Sequence, residues 1–308
     1  MSASGRDYPQ SFREALRVTG ELLSRNIDVV RGGTLVTETE QIVMAAYRLA
    51  TGVELTRLAL VNRLDDRYPD VAGERCLVMA GMRSEGHPLQ YATGFQTFLE
   101  HDYAVGPGVL VPRPETEVLV SEALHRVKGA VRGAEIGLGS GAISIELLSA
   151  IPHLSMVASE ISAEARAIAE RNAANILGTE WKERLRVVMA ATPENVLEPL
   201  VEPVKSGGHF DFLISNPPYL LRSDEIGEDV RRHEPEIALY SPGADEIHFY
   251  RRIAEGAKSV LTPSGVVLVE IPHERAVLIR RTFERAQWKV EVIPDLTGRE
   301  RVLVACQL

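Results

Sequence analysis

The four residues Asn216-Pro217-Pro218-Tyr219 are the part of this chain best suited to chemistry. They follow an apolar run, 210–215, that is typical of a buried strand ending at a loop. Each proline fixes its own φ at about −65° and restricts the residue before it, so the carbonyls of Asn216 and Pro217 point in set directions. Together with the side-chain oxygen of Asn216, they can accept both hydrogens of a planar NH2 group on which Tyr219 stacks. The motif predicts a site for an amide or an aromatic amine, although a rigid turn would use the same residues.

A glycine-rich loop precedes a predicted helix that begins near Ala142. The loop consists of Gly137, Leu138, Gly139, Ser140 and Gly141. Glycines let the backbone approach a ligand closely and let the amino end of the helix face it. With Ala142 the loop also fits the dinucleotide pattern G-x-G-x-x-A, which would indicate a dehydrogenase. However, Glu135 places a carboxylate just before the glycines, where it would repel a pyrophosphate and attract an ammonium group. This favours S-adenosylmethionine (SAM), which carries an ammonium group and no phosphate.

A second acidic residue, Glu160, ends the next predicted strand. A carboxylate at this position can accept hydrogen bonds from both hydroxyls of a ribose. Because SAM and dinucleotides both contain ribose, Glu160 supports a nucleoside cofactor without distinguishing between the two.

Composition limits the class of protein. The chain has 308 residues, of which 45% are hydrophobic and 25% charged, as in ordinary globular proteins. No apolar stretch approaches the roughly 18 residues that a membrane span needs, and the first residues do not resemble a secretion signal. Its two cysteines, Cys76 and Cys306, lie far apart, which fits a reducing compartment. The net charge of −9 argues against a protein that binds nucleic-acid phosphates over its whole surface. We therefore expect a cytoplasmic protein with no membrane partner.

The pattern of apolar residues divides the chain into three regions. Residues 1–86 are predicted to form a small helical domain, with helices at 11–25, 38–49, 54–62 and 71–84. Residues 87–111 carry aromatic, strand-like signals and are predicted to form a β-hairpin linker. Residues 112–308 alternate between strands and helices, which predicts a mostly parallel sheet with helices on both faces. The predicted strands are 134–136, 156–159, 186–189, 210–215, 265–271, 289–293 and 301–306. The last two are separated by a loop too short for a helix, so they should form an antiparallel hairpin at the sheet edge.

Several motifs in order along the chain resemble one family. The stretch 107–117, P-G-V-L-V-P-R-P-E-T-E, is similar to the family's most specific segment, and 88–94, P-L-Q-Y-A-T-G, looks like the entry to its hairpin. The glycine loop, Glu160 and the N-P-P-Y motif follow in family order, and Glu234-Pro235, Ala238-Leu239, Phe249-Tyr250-Arg251 and Gly298-Arg299 complete the pattern. The chain resembles the HemK/PrmC family of SAM-dependent protein glutamine methyltransferases, which modify class 1 peptide-chain release factors.

The resemblance implies both a fold and a function. The fold would be α/β, a Rossmann-like, seven-stranded class I SAM methyltransferase domain with a small helical amino-terminal domain. Our own hypothesis is that this helical domain, residues 1–86, helps to dock the protein substrate; the alternative is that it only completes the fold. The enzyme would transfer a methyl group from SAM to the side-chain amide nitrogen of the glutamine in the GGQ motif of a release factor, as part of translation termination. The products would be N5-methylglutamine and S-adenosylhomocysteine, with no metal required. None of the eight histidines has a metal-binding spacing.

The resemblance also assigns the site residues. Asn216, Pro217 and Tyr219 would be catalytic, and with Pro218 they would bind the substrate glutamine. Glu135, the loop 137–141, Glu160, Thr192 and Asn216 would bind SAM. The segment 190–193, A-A-T-P, lacks the acidic residue that the family usually places near the adenine; Thr192 is the aligned position and Glu194 the alternative.

Other departures are Glu100, where the hairpin usually has glycine, and 270–274, E-I-P-H-E, where the family has E-I-G. Arg113 and Glu115 could either order the loop over the cofactor or start a helix. Three alternatives remain open from the sequence: a methyltransferase of a ribosomal-protein glutamine, a methyltransferase of adenine or guanine amino groups, and an inactive relative that only binds SAM.

Overall fold

The computed structural model of the chain describes residues 8–25, 34–193, 195–243 and 245–308. The chain forms two units. The helical unit comprises Met1–Phe95 together with the later segment Ile226–His233. The sheet unit comprises Gln96–Glu225 and Glu234–Leu308.

Amphipathic helices build the helical unit. They are α1 (Phe12–Leu23), α2 (Thr34–Thr51), α3 (Arg57–Val61), α4 (Asp70–Ser84) and α5 (Leu89–Thr93). Ser11 caps α1, its side-chain oxygen accepting a hydrogen bond from the backbone N–H of Glu14. An ion pair between the buried Arg83 and the partly exposed Glu38, at 2.7 Å, links α4 to α2. The four helices predicted from the sequence are confirmed, with α2 beginning earlier and α3 shorter than expected.

The prediction for 87–111 is correct only in part. A hairpin is present, formed by β1 (Phe95–Phe98) and β2 (His101–Ala104), but residues 89–93 are helical and 105–111 form no strand. The aromatic Tyr91 suggested a strand, whereas Gly94, at φ 85°, ends α5 in the left-handed conformation that glycine adopts easily. In the hairpin turn it is Leu99, at φ 48°, that takes the left-handed conformation, and not Glu100.

The sheet unit contains a seven-stranded sheet. Its strands are β3 (Arg132–Ile136), β4 (Ser155–Glu160), β5 (Leu185–Met189), β6 (Phe210–Ser215), β7 (Leu261–Glu270), β8 (Trp288–Pro294) and β9 (Glu300–Gln307). They lie in the order β5-β4-β3-β6-β7-β9-β8. Strands β3 to β7 pair in parallel, β9 runs antiparallel to β7, and β8 pairs antiparallel with β9 at the edge. All seven predicted strands and the edge hairpin are confirmed.

Helices cover both faces of this sheet, as predicted. The helices of the sheet unit are α6 (Pro114–Arg126), α7 (Ala142–Ala150), α8 (Ala163–Leu177), α9 (Trp181–Arg184), α10 (Glu198–Gly207), α12 (Glu236–Leu239), α13 (His248–Gly256) and α14 (Ala276–Arg285), whereas α11 (Glu228–His233) belongs to the helical unit. Adjacent residues of β6 point to opposite sides, so that Phe212 packs with the α6 and α7 side while Leu213 packs with the α13 and α14 side. The class I methyltransferase fold predicted from the sequence is therefore confirmed.

The strand order fixes where a ligand can bind. The chain moves from β3 to β4 and β5 on one side, and β6 then pairs on the other side of β3. In open α/β sheets such a reversal leaves a crevice at the carboxyl ends of the central strands, which is where ligands bind. The glycine loop and the N-P-P-Y motif both begin at these ends, after β3 and β6.

Candidate active site

A cleft in the sheet unit opens at the carboxyl ends of β3, β4 and β6. The predicted site residues that line it are Glu135, Gly137, Leu138, Gly139, Ser140, Glu160, Thr192, Asn216, Pro217 and Pro218. The predicted residues Gly141 and Tyr219 are not among the lining residues that the structure describes. The structure thus brings together segments that are far apart in the sequence.

The glycine loop turns its backbone toward the cleft. Gly137 and Gly139 have φ values of 79° and 56°, which favour glycine, and a Cβ added at either would meet nothing within 4 Å. Gly141, at φ 87°, is the N-cap of α7, and a Cβ there would lie 2.8 Å from Ile145 Cδ1. Gly137 and Gly139 therefore leave room for a ligand, whereas Gly141 permits the close packing of α7.

A residue with no assigned role from the sequence holds this loop in place. Asn172 is buried on α8, and its side-chain N–H donates to the carbonyl of Ser140 at 2.9 Å. The same side chain exchanges two hydrogen bonds with the backbone of Ala104 in β2, at 2.9 and 3.0 Å. No local pattern marks Asn172, because an asparagine within a helix is usually exposed.

Glu135 lies at the base of the cleft and is 0% exposed. The hydroxyl of Ser144 donates a hydrogen bond to its Oε2. Its Oε1 is buried and has no hydrogen-bond partner among the residues that the structure describes. Burial raises the pKa of Glu135 to about 8; the Ser144 hydrogen bond opposes this rise, and the nearby charge of Glu160 adds to it. A buried acceptor without a donor is costly, so the site suits a ligand with a positively charged N–H group.

Glu160, at the end of β4, is held by backbone amides. Its Oε2 accepts from Gly139 N at 2.8 Å, and its Oε1 accepts from Ile161 N and Ser162 N at 2.8 and 2.9 Å. These bonds tie the carboxylate to the glycine loop and fix its direction. A carboxylate has further lone pairs, so Glu160 can still accept from a ligand hydroxyl.

Asn216 follows β6 and is connected to α6. Its side-chain N–H donates to Thr116 Oγ1 at 3.1 Å, and the Thr116 hydroxyl donates to Glu270 Oε2 at 2.7 Å. The NH2 group of Asn216 thus faces Thr116, which leaves Oδ1 as its acceptor. Thr116 and Glu270 were part of sequence motifs, but sequence reasoning gave neither of them a role in the site.

Tyr219 is half-buried and packs against the core on the α13 and α14 side of the sheet. Burial, with a smaller contribution from Glu270, raises its pKa to about 12, so the phenol is neutral at physiological pH. Its predicted role as a stacking surface for a substrate stays a prediction.

Arg113 lies where the start of α6 meets the cleft. It is the N-cap residue of α6, and it also lines the cleft. Its guanidinium donates to Glu234 Oε1 at 2.7 Å, while Glu234 Oε2 accepts from Val111 N at 3.2 Å. Glu234 therefore ties the segment before α6 to Pro235, which lines the cleft as well. Glu115 is exposed in the first turn of α6.

Small, uncharged residues line the part of the cleft where adenine is predicted to bind. Ala190, Thr192 and Pro193 line the cleft there, and Thr192 is exposed. Glu194, the alternative to Thr192, lies outside the described residues. In the parts of the chain that the structure covers, no three His, Cys, Asp or Glu residues are placed to hold a metal ion, and no helix is long and apolar enough to cross a membrane.

Comparisons with known proteins find methyltransferases that are similar to this chain. A family model described as "Methyltransferase small domain" matches residues 114–231. A release factor glutamine methyltransferase of Geobacter sulfurreducens is 34% identical over 241 residues, which cover 78% of this chain and 80% of that protein. One of Moorella thermoacetica is 33% identical over 267 residues, covering 85% of this chain and 89% of its own.

A solved structure of a release factor-specific protein-(glutamine-N5) methyltransferase from Alicyclobacillus acidocaldarius subsp. acidocaldarius DSM 446 is 26% identical to this chain. Its TM-score is 0.41, and the match covers 67% of this chain and 99% of that one.

Proposed function

We propose that this chain, because it belongs to the family of release factor glutamine methyltransferases, methylates the side-chain amide nitrogen of a glutamine in a class 1 peptide-chain release factor. The observation that carries the proposal is the orientation of Asn216. Its Oδ1 is left as an acceptor in a cleft that also contains the glycine loop and an acceptor suited to an ammonium group.

The residues of the cleft fit SAM. Glu135 Oε1 lacks a donor, which the ammonium group would provide. Glu160 is oriented by three backbone amides and would accept from the ribose hydroxyls, and Thr192 would lie beside the adenine. When bound, SAM would supply an electrophilic methyl group and leave as S-adenosylhomocysteine.

The acceptor side of the cleft would position the substrate amide. An amide nitrogen is a poor nucleophile because its lone pair is delocalised into the carbonyl. Asn216 Oδ1 and the Pro217 carbonyl would accept its two hydrogens and so direct the nitrogen toward the methyl donor. Pro218 stiffens this loop by fixing its own φ, and Tyr219 would limit the tilt of the amide plane. Positioning of this kind can supply roughly 7–11 kcal/mol of a barrier, so the proposal needs no general base or metal.

The decisive test of this function is methyl transfer by an Asn216→Ala variant. With labelled SAM and a class 1 release factor, we expect the wild-type chain to label the glutamine of the GGQ motif and the variant to give no detectable label. SAM binding, measured by calorimetry, should change by less than about threefold, since the rest of the cofactor side is intact.

Asn175→Ala, an exposed change on α8, is the matched control and should retain full activity. Turnover retained in Asn216→Ala would contradict the proposal. Label found on a ribosomal protein or a nucleic acid, and not on the release factor, would replace it with one of the alternatives.

We also propose that residues 1–86 help to dock the protein substrate. Deleting them should raise the KM for the release factor far more than the Kd for SAM, since the cleft lies in the sheet unit. Because Ile226–His233 belongs to the helical unit, the shortened chain must first be checked for native circular dichroism. Equal loss of both affinities would indicate a purely structural role.

A further inference from the structure

Two buried polar residues stand behind Asn216. Thr116, in the first turn of α6, is 5% exposed, and Glu270, the last residue of β7, is 1% exposed. The three side chains form a chain of hydrogen bonds, with Asn216 Nδ2 at 3.1 Å from Thr116 Oγ1, and Oγ1 at 2.7 Å from Glu270 Oε2. These hydrogen bonds connect the carboxyl ends of the neighbouring strands β6 and β7 through a residue of α6.

The hydroxyl in the middle makes this chain directional. A threonine hydroxyl has one hydrogen, and Thr116 gives it to the carboxylate of Glu270. Thr116 can then only accept from Asn216, so the NH2 of Asn216 turns to Thr116 and Oδ1 turns away from it. If the hydroxyl donated to Asn216 instead, the amide would flip, and its NH2 could not accept the hydrogens of a substrate amide.

We propose that Glu270 acts through Thr116 as a positioning residue that sets the amide orientation of Asn216 for methyl transfer. This inference rests on the proposed function, because the orientation matters only if Asn216 accepts from a substrate amide. Neither Thr116 nor Glu270 needs to touch the reacting atoms.

The direction of these hydrogen bonds depends on the charge of Glu270. An ionised carboxylate can only accept, whereas a protonated one can donate to Thr116 and release its hydroxyl hydrogen toward Asn216. The charged and titratable groups around Glu270 are Arg113 and Glu115 at the start of α6, Arg301 on β9, Tyr219 after β6, and Tyr250 on α13.

Among these influences, burial is the largest and raises the pKa of Glu270 to about 7. The hydrogen bond from Thr116 and the charge of Arg301 oppose this rise. Tyr250 fixes the backbone, since its hydroxyl donates to the Glu270 carbonyl at 2.9 Å. The carboxylate form, and with it the active orientation of Asn216, should therefore be lost as the pH falls through about 7.

Kinetics of three variants test this proposal. Thr116→Val keeps the shape and removes the hydroxyl, and it should lower kcat by about tenfold to a hundredfold with little change in the Kd for SAM. Thr116→Ser keeps the hydroxyl and should restore kcat to within about threefold of wild type. The wild-type kcat should fall below pH 7, and Glu270→Gln should have a low kcat without this step. Equal kcat in Thr116→Val and wild type, or an unchanged pH step in Glu270→Gln, would overturn the proposal.

A second measurement does not depend on activity. The side-chain NH2 resonances of Asn216, identified by their absence in Asn216→Ala, should shift with a midpoint near pH 7 in the wild type, and this shift should disappear in Glu270→Gln. Resonances that do not respond to pH would refute the positioning role of Glu270 even if the enzyme is active. A normal pH response in a protein that methylates no release factor would instead support the positioning role of Glu270 and refute the proposed function.

Discussion

Two of the buried glutamates have similar surroundings and serve different purposes. Glu135 and Glu270 lie at the carboxyl ends of β3 and β7, are 0% and 1% exposed, and each accept a hydrogen bond from a hydroxyl group. Burial raises the pKa of both carboxyls, to about 8 and about 7. Glu135 lines the cleft and has a free oxygen there, whereas Glu270 is not among the described lining residues and contacts the site through Thr116.

The difference shows two ways to use a buried charge. A carboxylate that meets a cationic ligand directly keeps one oxygen unsatisfied until the ligand arrives, which couples its charge to ligand binding. A carboxylate that orients a neighbour can be enclosed, because its effect is passed on by the direction of a hydrogen bond. The comparison predicts that changes at Glu135 affect SAM affinity and changes at Glu270 affect turnover.

The largest expected effect is on the Kd for SAM, which should change in the Glu135 variant and not in the Glu270 variant. Glu135→Gln keeps the shape of the side chain but cannot ionise to the carboxylate that would pair with the ammonium group of bound SAM, and we expect the Kd for SAM to rise roughly tenfold to a hundredfold. Glu270→Gln should leave the Kd within about threefold of wild type, because the change lies outside the cleft. Calorimetric titration of both variants at one pH measures this contrast, and similar losses in the two variants would remove the distinction between them.

Much of the fold and of the cofactor side could be predicted from the sequence. The strands of the sheet are short apolar runs bounded by glycine, proline and polar residues, so local patterns locate them. The glycine loop is equally local, and its position after a strand fixes its place at the carboxyl end of the sheet. The hairpin region was harder to predict, because Tyr91 favours a strand while the residues around it form α5.

The acceptor side could not be predicted as fully. The contacts of Asn216 with Thr116, and of Thr116 with Glu270, join residues 100 and 154 positions apart in the sequence, and no periodic pattern encodes such pairs. Asn172 is a similar case, since its partners lie in the glycine loop and the hairpin. For Tyr219 the sequence predicted a stacking surface, and the structure adds that part of the ring packs against the core. Residue types indicate which chemistry is possible, and only tertiary packing decides which atoms remain free to perform it.

The smallest expected effect is on the free energy of unfolding. Its pH dependence should differ between the two glutamates. Their pKa values are raised by burial from 4.5 to about 8 for Glu135 and to about 7 for Glu270. Below about pH 4.5 both groups are protonated in the folded and unfolded chains. As the pH rises, the unfolded chain loses these protons first, so the free energy of unfolding falls until the pH passes the pKa of the folded state.

Glutamine cannot ionise, so Glu135→Gln should gain stability relative to wild type between pH 5 and pH 8.5. One pKa unit corresponds to about 1.4 kcal/mol, and with relaxation of the site we expect a relative gain on the order of 2 kcal/mol for Glu135→Gln and roughly 1 kcal/mol for Glu270→Gln. Urea unfolding at pH 5 and at pH 8.5 measures the free energy of unfolding of each variant against wild type. Glu183→Gln, at an exposed position, is the control and should show no gain. A larger gain for Glu270→Gln would show that Glu270, although enclosed, holds its charge at greater cost than Glu135 in the cleft.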